Sequence, residues 1–210
     1  MAIAALTLHT EDGVALEAEL DMGAAGGDAA IAVVLCHPHP QFGGTMRSIV
    51  TSVLFRDLPS AGYPCVRFNF RGVENSTGEH SHGTHEPRDA DAAIAAMATQ
   101  LPGTPIALVG WSFGGDIALR VVDERIAGWI AIAPPLRIGE TFAAGHDARP
   151  KHLILAEHDE FRQPADVQRD IASWPATTLT VVPGASHFFV GRTDAVLDET
   201  RANLARLTTP

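Results

Sequence analysis

Two rhythms of apolar and polar positions run along the chain. Near the start, IAALTL (3–8) and VALEAEL (14–20) alternate and flank EDG. Alternation is what a strand needs to bury one face and wet the other, so the pair predicts an antiparallel hairpin. Beyond it the pattern changes. AIAVVLC (30–36), CVRFNF (65–70), PIALVG (105–110), WIAIA (129–133), HLILA (152–156) and TLTVV (178–182) are short and mostly uninterrupted in their apolar character. Such runs suit strands buried on both faces of a parallel sheet. Between them, residues 45–62, 86–100, 113–125 and 165–174 carry helix-permissive sequence, and 194–207 closes the chain in the same way. Strand-helix alternation predicts an α/β protein with three layers, a mostly parallel sheet and an N-terminal hairpin.

Length and composition narrow the picture. A chain of 210 residues holds one sizeable core and is short for two, which predicts one domain over 1–210. A hydrophobic fraction of 46% with 19% charged residues is globular composition. The formal charge of −10 argues against nucleic acid and against anionic membranes, because phosphate binding needs a basic surface. MAIAALTLHTEDG has no basic leader region, and no window approaches 18 uninterrupted apolar residues. A cytoplasmic protein without a spanning helix is therefore expected. Cys36 and Cys65 each lie within an apolar run and read as small buried hydrophobes.

In a parallel sheet, ligands bind at the carboxyl ends of the strands, in the loops that lead into helices. Those loops hold the unusual residues: HPHPQFGG after 30–36, RGVENSTG after 65–70, WSFGG after 105–110, EHDEF after 152–156 and PGASHFF after 178–182. Ser112 sits at a strand-to-helix corner with Gly110 two residues before it and Gly114 two after. Glycines there relieve crowding in a sharp turn that thrusts the serine out at the edge of the sheet. By itself G-x-S-x-G arises by chance in about one in fifteen chains of this length. The chain order of an acid and a base downstream of the serine carries more weight. A serine hydroxyl needs a base, and the base needs an orienting carboxylate. Asp159 lies just beyond one later strand and His187 just beyond the next, both on loops facing the same crevice. Glu157 and Glu160 flank Asp159 and are the alternative acids.

Other features read more plainly. His80, His82 and His85 in GEHSHGTH suggest either a metal cluster or a solvated loop. Without nearby carboxylate-rich support the solvated loop is expected. Arg71 is expected to pair a carboxylate. GWSFGG lacks the lysine of a phosphate-binding loop, and neither cofactor nor metal is expected.

HPHPQFGGTM, RFNFRGVENSTG, GWSFGG, EHDEF and GASHFF together resemble the α/β-hydrolases over nearly the whole chain. The similarity is to the small cap-less, dienelactone-hydrolase-like group and to bacterial serine hydrolases with an HPHP-x-x-GG loop. It implies Ser112 as nucleophile, His187 as base and Asp159 as its orienting acid. Dienelactone hydrolases proper are expected to use cysteine, and Ser112 departs from that. The family's strand order also implies that Cys36 and Cys65 lie on neighbouring parallel strands about five residues out of step, too far apart to bridge. For the oxyanion hole, one donor is expected to be the N–H of Phe113, the residue after the nucleophile. Pro38 and Pro40 have no N–H. His39 lies between them, just after His37-Pro38 in the place where related hydrolases carry an HG pair, and is the expected second donor.

The resulting expectation is a serine hydrolase acting on small-molecule carboxylic esters. A thioesterase, peptidase or acyltransferase would use the same residues, and a non-catalytic binding protein on this fold is the remaining alternative. Only residues 136–151 separate WIAIAPP from HLILA. That is room for a short helix or ordered loop but no lid, so an open crevice walled by Phe113, Phe188, Leu136 and Phe142 and a preference for short acyl chains are expected.

Overall fold

The computed structural model describes residues 3–139 and 141–208. Glu140, within the segment expected as a short helix or loop, lies outside the described residues, as do Met1 and Ala2 of MAIAALTLHTEDG. Strands β1 (Ala4–His9) and β2 (Ala15–Asp21) form the expected antiparallel hairpin. They join β3 (Ala32–Cys36), β4 (Cys65–Phe68), β5 (Ile106–Trp111), β6 (Ile126–Ile132), β7 (Lys151–Ala156) and β8 (Thr177–Val182) in one sheet. The spatial order is β1-β2-β4-β3-β5-β6-β7-β8, with β3 to β8 parallel to one another.

Period-two burial on both faces builds the layers. In β3, Ala32, Val34 and Cys36 join one core while Val33 and Leu35 join the other. The first core is capped by α2 (Glu86–Gln100) through Ile94 and Met97, by α3 (Phe113–Arg120) through Ile117 and Leu119, and by α4 (Pro164–Asp170) through Val167. The second is capped by α1 (Ile49–Asp57) through Val50 and Leu54, and by α5 (Thr193–Leu207) through Leu197 and Leu204.

Several boundaries move for physical reasons. Strand β6 begins three residues before the apolar run at 129–133. Gly128 dilutes the pattern there because a Cβ would lie 2.7 Å from both the Pro150 carbonyl oxygen and Leu207. Helix α3 stops at Arg120, since Val121 is extended and its carbonyl accepts the Trp129 indole N–H at 3.0 Å. Strand β4 ends at Phe68: the Asn69 N–H still reaches the Glu17 carbonyl of β2, but the Phe70 N–H turns to the His37 ring. Cys65 lies opposite Val33, so Cys36 is three residues further along rather than five. At about 3.3 Å per residue that still exceeds bridging distance. The two thiols also belong to opposite cores, and both are free.

The turn after β4 is held by Arg71, as a carboxylate-pairing role predicts. Asp89 accepts from the Arg71 backbone N–H (2.9 Å), its Nε (2.9 Å) and its Nη2 (2.7 Å), and Asp12 accepts from Nη1 at 2.9 Å. Between β6 and β7 the described chain contains one short turn of 3₁₀ helix, Ala143–His146, and no lid domain. Among the described residues no helix is long and apolar enough to cross a membrane.

Candidate active site

The corner between β5 and α3 places Ser112 at φ 54°, ψ −120°. A non-glycine residue held in so sparsely populated a region stores about 1–3 kcal/mol, which the surroundings must over-determine. They do so with three bonds. Ser112 N–H donates to the Ile132 carbonyl at 2.8 Å, and its own carbonyl accepts from Gly115 N–H (2.8 Å) and Asp116 N–H (3.1 Å). The flanking glycines let the elements close. A Cβ on Gly110 would lie 2.1 Å from the Gly114 oxygen, and one on Gly114 would lie 2.4 Å from the Cys36 oxygen at the end of β3.

Both later residues reach this corner. His187 Nε2 is 2.8 Å from Ser112 Oγ, and His187 Nδ1 is 2.8 Å from Asp159 Oδ2. Asp159 is buried, and its second oxygen accepts from the N–H groups of Phe161 (2.9 Å) and Arg162 (3.0 Å). Facing that carboxylate, Nδ1 carries the ring proton, which leaves Nε2 to accept from the serine hydroxyl. The alternative acids are engaged with backbone: Glu157 accepts from Gly184 N–H at 2.7 Å, and Glu160 from His187 N–H at 3.0 Å. The His187 carbonyl accepts from the Trp111 indole at 3.2 Å.

Across the serine lies the HPHPQFGG loop. Fully buried His37 accepts from Phe70 N–H through Nε2 at 3.0 Å, so its proton sits on Nδ1, 2.6 Å from the Pro38 carbonyl. Burial pushes its pKa down to about 3. An unfolded histidine titrates near 6.5, so the unfolded chain binds more protons between those values. The stabilisation is complete above about pH 6.5 and is lost as pH falls toward 3, at about 1.4 kcal/mol per pH unit. Between pH 7 and 5, urea unfolding of the parent protein should lose about 2 kcal/mol more than His37→Asn. Equal losses would show that His37 is not held neutral.

His39 comes next, leading into a 3₁₀ turn at Pro40–Phe42. Its ring accepts from Gln41 N–H at 3.2 Å, and its carbonyl accepts from Phe42 and Gly44 N–H at 3.1 and 3.0 Å. None of these loop bonds uses the His39 N–H. Phe113 is the first residue of α3, where an N–H has no partner within the helix. The two residues adjoin, with ring centroids 4.9 Å apart. The structure thus brings together the five residues singled out from the sequence.

The histidine-rich loop departs from expectation. His82 and His85 are exposed, but the His80 side chain is only 10% exposed. Its Nδ1 lies 2.9 Å from Glu86 Oε1, and its ring packs 5.1 Å from His39 and 5.5 Å from Phe113. Glu86 is fully buried and pins the loop, accepting from Ser81 N–H and Oγ–H and from Gly83 N–H at 2.6–2.7 Å. Burial holds His80 and His39 below the ordinary histidine range. Among the described residues no three His, Cys, Asp or Glu side chains are placed to hold a metal. Of the expected walls, Phe113 is buried and forms floor instead, while Phe142 packs against Trp174 at 6.0 Å. Phe42 and Phe161, which sequence reasoning leaves out, contact the rings of His39 and His187 at 4.9 and 4.5 Å. Their only sequence signal is adjacency to the site loops.

Residues 27–157, including the Ser112 corner, match the family described as serine aminopeptidase, S33. An uncharacterized protein of Rickettsia prowazekii is 31% identical over 180 residues, covering 80% of this chain and 75% of that protein. An α/β serine hydrolase without lid from Xanthomonas campestris is similar at a TM-score of 0.86 and 29% identity, covering 98% of this chain and 95% of that one. An α/β serine hydrolase homologue from Coxiella burnetii gives 0.85 and 31%, covering 97% and 98%. The sheet order, the strained serine corner and these likenesses converge: the chain belongs to the serine aminopeptidase S33 family and is a lid-less serine hydrolase of the α/β-hydrolase fold.

Proposed function

We propose that this hydrolase cleaves small carboxylic esters through an acyl-enzyme on Ser112. The observation that carries the reading is the continuous hydrogen-bonded chain from Ser112 Oγ through His187 to Asp159. Ser112 Oγ attacks the carbonyl carbon as His187 Nε2 takes its proton. Asp159 keeps the imidazole in the required tautomer and stabilises the imidazolium. The Phe113 and His39 N–H groups stabilise the oxyanion. As the tetrahedral intermediate collapses, the ester C–O bond breaks and the alcohol departs with the proton from His187. Water then attacks the acyl carbonyl, yielding its proton to His187, and the carboxylic acid leaves with Ser112 restored. The cycle calls for no cofactor, nucleic acid or membrane.

Thioesterases, peptidases and acyltransferases share these steps. The aminopeptidase of the family's description would recognise a free amine beside the scissile bond, a task for an available carboxylate. Glu157 and Glu160, the acids nearest Asp159 in sequence, each accept from a backbone N–H, while the rings that flank His187 are the apolar Phe161 and Phe188, which favours a neutral ester. A plate of p-nitrophenyl esters of graded acyl length tests the reading. Each buried methylene adds about 0.8 kcal/mol only where a wall covers it, so kcat/KM should peak at about two to four carbons in this open crevice. Inactivity across the plate would overturn the ester reading, and a preference for twelve carbons or more would overturn the short-acyl one.

A further inference from the structure

Three phenylalanines are strongly exposed among the described residues: Phe42 at 84%, Phe161 at 49% and Phe188 at 49%. Single exposed apolar residues are ordinary, but these share one location. Phe42 packs edge-on against His39 across the serine, while Phe161 and Phe188 both lie against His187, at 4.5 and 5.4 Å between ring centroids. Phe161 and Phe188 also face each other edge-on, 6.0 Å apart at 81°. They stand on different loops, one after β7 and one after β8, so the pair is a product of tertiary structure.

The side of the crevice decides what this pair would meet. In the ester-cleavage reading, on which this inference rests, His187 Nε2 hands its proton to the departing alcohol. The leaving oxygen must therefore come within hydrogen-bond reach of that nitrogen, and the alcohol portion of the substrate lies beside the rings next to His187. We propose that Phe161 and Phe188 form a subsite for a flat aromatic alcohol, making esters of arylmethyl alcohols with short acids the preferred substrate class. A ring entering there gains edge-to-face or offset contacts that a saturated ring of similar size lacks. Between β6 and β7 the described chain holds one short 3₁₀ turn, Ala143–His146, and no lid, and Phe142 beside that turn packs against Trp174.

The test compares kcat/KM for benzyl acetate, cyclohexylmethyl acetate and methyl acetate in the purified protein. The benzyl and cyclohexylmethyl esters have similar size and leaving-group reactivity, so their ratio reports recognition of the flat ring. That ratio should be about three to ten in the parent protein. It should fall to about one in Phe161→Leu/Phe188→Leu, which keeps apolar volume and leaves the Phe161 N–H on Asp159 in place. Phe188→Tyr should retain the preference, as should Val122→Ser, an exposed residue in the α3–β6 connection at the opposite end of the strands. A parent ratio near one, or a ratio unchanged in the double variant, overturns the subsite. Turnover of methyl acetate with no aromatic preference removes the subsite alone, whereas turnover of none of the three esters removes the ester reading with it.

Discussion

Ser112→Ala is expected to lower kcat for any hydrolysed ester by about 10⁵–10⁶, and His187→Ala by a similar factor. Combining them should add little. The proton acceptor has no purpose without the hydroxyl 2.8 Å away, and that hydroxyl is a poor nucleophile without its acceptor. Asp159→Asn should slow turnover by about 10⁴ while leaving the fold intact. Its amide would favour the wrong imidazole tautomer across the 2.8 Å contact to His187 Nδ1. Labelling by a fluorophosphonate probe supplies a direct readout: the parent protein should be modified at Ser112 and Ser112→Ala should not. Turnover by Ser112→Ala at the parental rate would refute the assignment of the nucleophile.

Asp89→Asn is expected to destabilise the fold by about 3–5 kcal/mol. Asp89 is fully buried and accepts from three donors of Arg71, whose side chain is 4% exposed. Removing the charge leaves a buried guanidinium with Asp12 as its one remaining acidic partner among the described residues. Urea unfolding measures the loss. Arg71→Met/Asp89→Leu should cost less than the sum of its single variants, because replacing both partners leaves no orphaned charge. A loss below about 1 kcal/mol for Asp89→Asn would show that the pair does not hold this turn. The damage should extend to the site, since Arg71 is joined to Phe70, whose N–H fixes His37 in the HPHPQFGG loop.

Much of this molecule is written locally. Burial on alternating faces is a property of neighbouring side chains, so the strands, the hairpin and the α/β class are readable from short windows. A strand-turn-helix with glycines on both sides of a serine is likewise a local arrangement. That an acid and a base follow Ser112 on strand-end loops facing one crevice can be read from their order in the chain. The missing lid is a matter of counting residues 136–151.

Features that the sequence left open depend on partners distant along the chain. Nothing in EHDEF distinguishes Asp159 from Glu157 or Glu160; the fold does, by giving the two glutamates to backbone donors 27 residues away. The register of Cys65 against Val33 comes from pairing across the sheet. His80 reads as solvated in its polar loop until buried Glu86 draws that loop against His39 and Phe113. Phe161 and Phe188 become one surface only because β7 and β8 lie side by side. Local periodicity thus determined which segments are strands and helices and which loops hold the chemistry. Tertiary packing alone decided which carboxylate meets the histidine and which rings flank it, because those contacts join segments whose separation in sequence carries no trace of their distance in space.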